Sequence, residues 1–251
     1  MRTTFECGYH VRSYETGVTN RLTMANLCNY LQEAAGEHAD KLGFGILDLQ
    51  RQGLSWMLAR LRVKVAREAA WGSDLKVVTW PCNILRHIIA PRDFQVFDAK
   101  TGEPIAEGVS EWFMVNLAAQ RIVKPTDAFK AVVPEGVERT PLAAEDGAGK
   151  FAALAKVDAT AKILVRRADH DFNDHVNNVH YIEWSFEALP AAARKRKVVG
   201  LDIVFRQAAH AGDELESQLE VVDDTHCRCA IVRPSDAALL ATSAIELDAH
   251  E

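Results

Sequence analysis

A basic excess, a long apolar run and a cysteine framework are all missing from this 251-residue sequence. With 29 Lys and Arg against 35 Asp and Glu the net charge is −6. That argues against nucleic acid as the main partner, because phosphate binding requires a basic face. No apolar run approaches the roughly 18 residues needed to span a bilayer. The opening MRTTFECGYHVRSYETG lacks an apolar stretch of signal-peptide length. The five cysteines are odd in number, and only Cys227 and Cys229 are close neighbours. That usage suits reduced thiols and predicts a cytoplasmic protein. What is present is ordinary globular composition, 48% apolar and 25% charged, with modest Gly and Pro. The length suffices for one large domain or two small ones.

The chain repeats itself. VRSYETGVTNRLTMANLCNYLQEAA (11–35) lies without gaps over VRRADHDFNDHVNNVHYIEWSFEAL (165–189), setting Leu22 on Val176, Leu27 on Tyr181, Tyr30 on Trp184 and Glu33 on Glu187. REAAWGSDL (67–75) then resembles RQAAHAGDEL (206–215) in the same order, which points to duplication. In the first copy Leu27, Leu31, Ala34, His38 and Leu42 recur at helical steps, with Gly43 as a stop. SWMLARLRVKVAR then alternates, placing Met57, Ala59, Leu61, Val63 and Val65 on one face and Arg60, Arg62 and Lys64 on the other, as a half-buried antiparallel strand would. DLKVVTW follows, then a hairpin turning near Lys100–Gly102. The second copy has a helix from about Asn177, then VVGLDIVFRQ, ELESQLEVV, HCRCAIVR and ALLATSAIEL as strands. One long helix per antiparallel sheet predicts an α+β fold with each sheet wrapped around its helix. The domains expected are 1–132 and 157–251, joined by a Pro-, Gly- and charge-rich linker at 133–156.

One stretch concentrates polar chemistry. DHDFNDHVNNVHY (169–181) holds three Asp, three Asn and three His. Asp169, Asp171 and Asn173 fit the first ligands of a calcium loop, but Asp174 stands where that loop needs Gly and His180 where it needs Glu. His170, His175 and His180 are five residues apart, so on one helix they diverge rather than converge on a metal. A third reading is a catalytic turn leading into a helix capped by Asn177 or Asn178. Asp171, Asn173 and His175 alternate, so an extended segment sets them on one side, near helix N–H groups that favour developing negative charge. A carboxylate, an amide and an imidazole so placed can attack, orient and polarise a carbonyl. The bland counterpart is that these Asp and Asn residues only cap and turn.

D-F-N-D-H-V-N-N-V-H-Y-I-E-W closely resembles the signature of plant and bacterial acyl-acyl-carrier-protein thioesterases, D-x-N-x-H-V-N-N-x-x-Y-I-x-W. VRSYETG, NLCNYLQEAAGEHADKLGFG, LSWMLARLRVKVAR, WGSDLKVVTWP and IVKP resemble the family's first half in order, so the likeness covers nearly the whole chain. It implies a tandem hotdog fold and hydrolysis of fatty acyl-acyl carrier protein to free fatty acid in fatty acid biosynthesis. It assigns catalysis to Asp171, Asn173 and His175, with Asp171 as base or nucleophile. The first copy carries Gly17, Thr19 and Arg21 at those positions, so that half is expected to build the acyl pocket around a degenerate site. Plant members carry Glu-Cys where this chain has Ala208 and Ala209 after Phe205, Arg206 and Gln207, so the family's proposed catalytic Glu falls on Ala208. An acyl-CoA thioesterase and a non-catalytic acyl-binding protein are the alternatives.

The partner expected is acyl carrier protein, whose phosphopantetheine arrives with the substrate, so no bound cofactor or metal is implied. A homodimer is left open. Because the carrier is acidic, docking needs a local basic face, for which Arg166, Arg167 and the run Arg194, Lys195, Arg196, Lys197 are candidates, the alternative for 194–197 being a solvated helix end with cations favoured near its C-terminus. Acyl length depends on packing among Trp56, Met57 and the first helix.

Overall fold

The structure is a computed structural model that describes residues 4–145, 151–171 and 173–249. The chain divides into two compact units, Met1–Ala148 and Gly149–Glu251. The division falls inside the 133–156 stretch, of which 146–150 lie outside the described residues.

The first unit opens with strand β1 (Phe5–His10). Helix α1 (Met24–Lys41) starts where Thr23 Oγ1 accepts the Asn26 N–H at 3.2 Å, and after it Gly43 adopts a left-handed φ of +77°. Its buried stripe includes Leu27, Leu31, Ala34 and His38, the periodic set visible in the sequence. Then come α2 (Ile46–Gln50), β2 (Leu54–Val65), β3 (Asp74–Pro81), β4 (Ile89–Asp98), β5 (Pro104–Asn116), β6 (Arg121–Val123) and α3 (Asp127–Lys130). The antiparallel sheet runs β1-β3-β4-β5-β2, with β6 on β5. The β4–β5 turn forms where expected: Asp98 Oδ1 accepts the N–H groups of Lys100 and Thr101, and Gly102 has φ +74°. Helix α1 lies on the inner face. Tyr30 stacks on Tyr9 of β1 at 4.5 Å, and a Cβ on Gly108 of β5 would meet Leu31 Cδ1 at 3.1 Å and Arg62 O at 3.3 Å. The helix seats this closely because residue 108 has no side chain.

Strand β2 departs from the alternation its sequence suggests. A register shift between Leu58 and Arg60 reverses the pattern, so Leu58 is buried and Met57 is 44% exposed, away from the face of Leu61 and Val63. The arginine side is not solvated either. Arg62 is 1% exposed, bonded to Glu111 at 3.1 Å and to the Leu142 carbonyl at 2.8 Å. The covering segment lies 80 residues away in sequence, so nothing local to β2 reports it.

The second unit contains β7 (Ala159–Leu164), α4 (Asn178–Glu187), β8 (Val198–Phe205), β9 (Glu214–Val221), β10 (His226–Arg233) and β11 (Ala238–Leu247). Its sheet runs β7-β9-β10-β11-β8, all antiparallel. Position for position this is the order β1-β3-β4-β5-β2, so the sequence repeat is a repeat of topology. Helix α4 packs on β9 and β10 and buries Val179, Tyr181, Ile182, Trp184 and Ser185. It has 10 residues against 18 in α1, closing just before Pro190. Each unit is a helix held against an antiparallel sheet, the tandem hotdog fold.

The segment before β7 is tied down. Ala155 N–H donates to Glu220 at 3.3 Å, Val221 N–H donates to Asp158 at 2.8 Å, and Arg228 donates to the Ala152 carbonyl.

Candidate active site

Residues 166–171 and 173–177 form a compact turn between β7 and α4. Arg166 and Asp169 bracket a short 3-10 turn: the Arg166 N–H donates to Asp169 Oδ2 at 2.8 Å and its guanidinium holds Asp169 Oδ1 at 2.6 Å. Burial works to raise the Asp169 pKa, but the hydrogen bonds and charge of Arg166 outweigh it and hold the carboxyl below its ordinary value. His170 then bridges Val176, and the Asp171 N–H donates to the His175 carbonyl at 2.8 Å, so 171–175 fold back on themselves. The reversal needs a left-handed residue, and Asp174 supplies it at φ +59°. Asn177 closes the turn and caps α4, its Oδ1 accepting the Val179 N–H at 3.0 Å.

The three residues singled out by the sequence fall within this turn. Asp171 and Asn173 are half-buried, His175 is exposed, and the Asn173 N–H donates to Asp171 Oδ1 at 2.8 Å. That bond orients the carboxylate and leaves Oδ2 for other chemistry. It also means the segment is a turn rather than the extended strand that the alternation D-x-N-x-H suggests, because two main-chain bonds, Asp171 N–H to the His175 carbonyl and Asp174 N–H to the Asp171 carbonyl, reverse it within five residues. His180 sits on α4 and pairs with Glu183 at 2.8 Å. Among the described residues, no group of three or more His, Cys, Asp or Glu is placed to hold a metal ion.

The first copy builds the same turn without the same side chains. Arg12 N–H donates to Glu15 at 2.7 Å, Thr16 bridges Leu22, Gly17 N–H donates to the Arg21 carbonyl at 3.0 Å, Asn20 has φ +58°, and Thr23 caps α1. The backbone shape therefore belongs to the repeat, and the carboxylate, amide and imidazole belong to the second copy alone.

Two residues beside the turn escape a reading based on motif alone. His170, considered in the sequence only as a metal ligand, is 13% exposed and braces the reversal through Nδ1 and Asp174 Oδ1 at 3.1 Å. Tyr181 accepts the Ala209 N–H at 2.7 Å and donates to the Gln207 carbonyl at 3.5 Å, so its hydroxyl fastens the 207–209 segment to α4. Burial raises its pKa and keeps the phenol protonated. The signal for it was the i, i+4 step from Asn177, which places Tyr181 one turn along the helix from the cap. On that segment Ala208 is exposed and Ala209 is buried. The loops that follow match across the repeat: Ser73 N–H donates to the Ala70 carbonyl, as Asp213 N–H does to that of His210. In this register Glu68 corresponds to Ala208, and Glu68 lies 3.6 Å from Arg21, the counterpart of His175. The first copy thus shows a carboxylate at this loop position reaching the last residue of the turn.

The basic residues near the turn divide by what they hold. Arg194 donates to the Leu189 and Glu187 carbonyls at the end of α4, and Arg196 bonds to the Asp224 carbonyl. Both are structural, so the run 194–197 is not a uniform docking face. Arg167 and Lys195 are exposed and have no ion-pair partner among the described residues.

Models of the acyl-ACP thioesterase N-terminal and C-terminal domains match residues 2–133 and 153–241. The chain is 30% identical over 223 residues to oleoyl-acyl carrier protein thioesterase 2, chloroplastic, of Arabidopsis thaliana, covering 82% of this chain and 60% of that one. It is 30% identical over 233 residues to the Coriandrum sativum oleoyl-acyl carrier protein thioesterase, covering 86% and 62%. The chain therefore spans about six-tenths of the length of these relatives. Among solved structures, the 12:0-ACP thioesterase of Umbellularia californica superposes with a TM-score of 0.86 at 23% identity over 99% of this chain and 98% of that one. An acyl-ACP thioesterase of Bacteroides thetaiotaomicron gives 0.84 at 22% identity, over 98% of each chain. The repeated helix-and-sheet units, the turn ahead of α4 and these matches place the chain in the acyl-ACP thioesterase family.

Proposed function

We propose that the protein hydrolyses the thioester of fatty acyl-acyl carrier protein, releasing free fatty acid in fatty acid biosynthesis, with Asp171, Asn173 and His175 as the catalytic set. The observation that carries this reading is the pair of equivalent turns, of which one alone presents a carboxylate, an amide and an imidazole. Asp171 either takes a proton from water as its oxygen adds to the carbonyl carbon, or adds through Oδ2 to give an acyl anhydride that water then opens. In both routes the C–S bond breaks and the phosphopantetheine sulfur leaves as the thiol. Asn173 and His175 orient the attacking group, and the positive end of the α4 dipole favours the developing oxyanion.

Purified protein tests this directly. Acyl-carrier-protein esters should be cleaved with higher kcat/KM than CoA esters of the same acyl chain. Equal or reversed values would make the protein an acyl-CoA thioesterase, and tight acyl binding without thiol release would make it a binding protein. Single turnover in ¹⁸O-water separates the routes: an anhydride opened at the Asp171 carbonyl leaves the label on Asp171 and releases unlabelled acid, whereas direct attack of water labels the acid and never the protein.

Compartment and assembly belong to the same proposal. A cytoplasmic location is supported by the five cysteines, all free thiols, and is checked by fractionation. A homodimer is supported by the exposed apolar side chains Tyr14, Val18 and Trp71 on loops joined by main-chain bonds from Val11 to Ser73 and Leu22 to Ala69. Sedimentation across a concentration series tests it.

A further inference from the structure

Within the first unit, Arg92 of β4 is 7% exposed, faces α1, and has no carboxylate within ion-pair distance among the described residues. Other buried arginine contacts in the unit are answered. Arg62 pairs with Glu111 at 3.1 Å, and the neighbouring Asp93, turned to the opposite face of the strand, is taken by Arg139 at 2.5 Å and by the Thr140 N–H at 2.9 Å. A buried cation without a counter-charge is costly, and breaking a buried pair leaves the same penalty.

The partners Arg92 does have are neutral. Its Nη1 donates to His38 Nδ1 at 3.0 Å and to Thr79 Oγ1 at 3.2 Å. A guanidinium has donors only, so Nδ1 of His38 is the acceptor. Burial, with the charges of Arg92 and Lys41, pushes the His38 pKa down to about 4, so at neutral pH the ring carries its one proton on Nε2. That N–H is buried, on a residue 2% exposed, and has no acceptor. Thr79 spends its own proton on the Asp93 carbonyl at 2.8 Å. The cluster therefore has donors outstanding and its neighbouring acceptors used. Lys41 adds positive potential, its Nζ lying 3.8 Å over the Phe5 ring that stacks on His38 at 5.5 Å.

We propose that His38, Arg92 and Thr79 form a binding site for a carboxylate group. A carboxylate is planar, offers two acceptor oxygens, and matches a guanidinium fork with one further N–H beside it. Two sources share this chemistry: the far end of an acyl chain that carries a terminal carboxyl, and a free short-chain carboxylate. The acyl source rests on the thioesterase reading, whereas the free source does not.

The full-length protein tests both. In the first arm the His38 Nε2–H signal is followed by nitrogen-correlated NMR while octanoate is added, with octanamide as the uncharged control. In the second arm, N-acetylcysteamine thioesters of equal length, ending in a methyl or a carboxylate, are compared by kcat/KM. Octanoate but not octanamide should shift the His38 signal, or the carboxylate-ended ester should be preferred. Arg92→Met should weaken that discrimination by at least about tenfold, the loss expected of one charge-assisted pair. Arg92→Lys, which keeps the charge and loses the fork, serves if the methionine variant does not fold. Loss of thiol release from both esters with a retained octanoate shift would sink the thioesterase reading and leave the site standing. No octanoate-specific shift in the parent protein and no preference for the carboxylate-ended ester would overturn the proposal, leaving a buried cation satisfied by water.

Discussion

Replacing Asp171 separates its chemistry from its structural work. Its Oδ1 accepts the Asn173 N–H at 2.8 Å, and its own N–H donates to the His175 carbonyl. Asn keeps an oxygen in the same place, so Asp171→Asn should preserve the turn and move Tm by less than about 2 °C, as expected for a half-buried change of under roughly 0.5 kcal/mol. It removes the negative charge, and with it the base or nucleophile, so kcat should fall by about 10²–10⁴. Asp171→Ala loses the charge and the acceptor together. It should show the same fall in kcat plus a cost of about 0.5–1.5 kcal/mol for the missing hydrogen bond. At this chain length that corresponds to a Tm lower by roughly 1–6 °C. Thiol release from an acyl thioester gives kcat, and circular dichroism melting gives Tm. Asp171→Asn turning over within about threefold of the parent would refute the assignment, since that is far less than a lost general base costs. Equal melting losses in both variants would refute the geometry of the turn.

Further outcomes follow from the same structure. Asp174 sits at φ +59°, as Asn20 does in the first copy, so Asp174→Asn should be tolerated while the β-branched Asp174→Val should cost about 1–2 kcal/mol and lower kcat, read by urea unfolding and turnover. The pKa of His38 is depressed by burial to about 4, so the unfolded chain binds a proton that the folded chain refuses. Stability should therefore be fully present above about pH 6.5 and decline as pH falls towards 4, a slope that His38→Gln removes; an unchanged slope in that variant would assign it to other groups. Ala208→Glu places a carboxylate where Glu68 reaches Arg21 in the first copy, so it should raise kcat without altering Tm, and a lowered kcat would mean that the second copy has no room for it. Reversing charge at Arg167 and Lys195 should lower kcat/KM on acyl carrier protein at low salt and fade as the screening length shortens to about 8–10 Å, with small-thiol esters unaffected; an equal loss on both substrates would indicate a folding defect.

The repeat, the helix stripe of α1, the hairpin at Gly102 and the strands of the second unit were legible in the sequence, because each is written in local periodicity or turn chemistry. So was the candidate triad, because Asp171, Asn173 and His175 lie within five residues of one another. Their arrangement was not. A period of two reads as an extended segment, whereas the structure folds it back through the bridge of His170 to Val176 and the left-handed Asp174. The alternation of β2 misled for a related reason. A bulge reverses the face of Met57, and cover from the turn at Pro141–Glu145 buries Arg62, two events set by partners distant in sequence. The two uses of the basic run, docking face or helix end, were both open in the sequence, but only the tertiary structure shows Arg194 spent on the carbonyls that end α4 and Arg196 on the Asp224 carbonyl. The sequence by itself determined which side chains are available and the local periods they follow. Tertiary structure alone decided which of them are covered, and it left Arg92 buried without an acid because charge pairing depends on what a strand meets in space, not on what stands next to it in the chain.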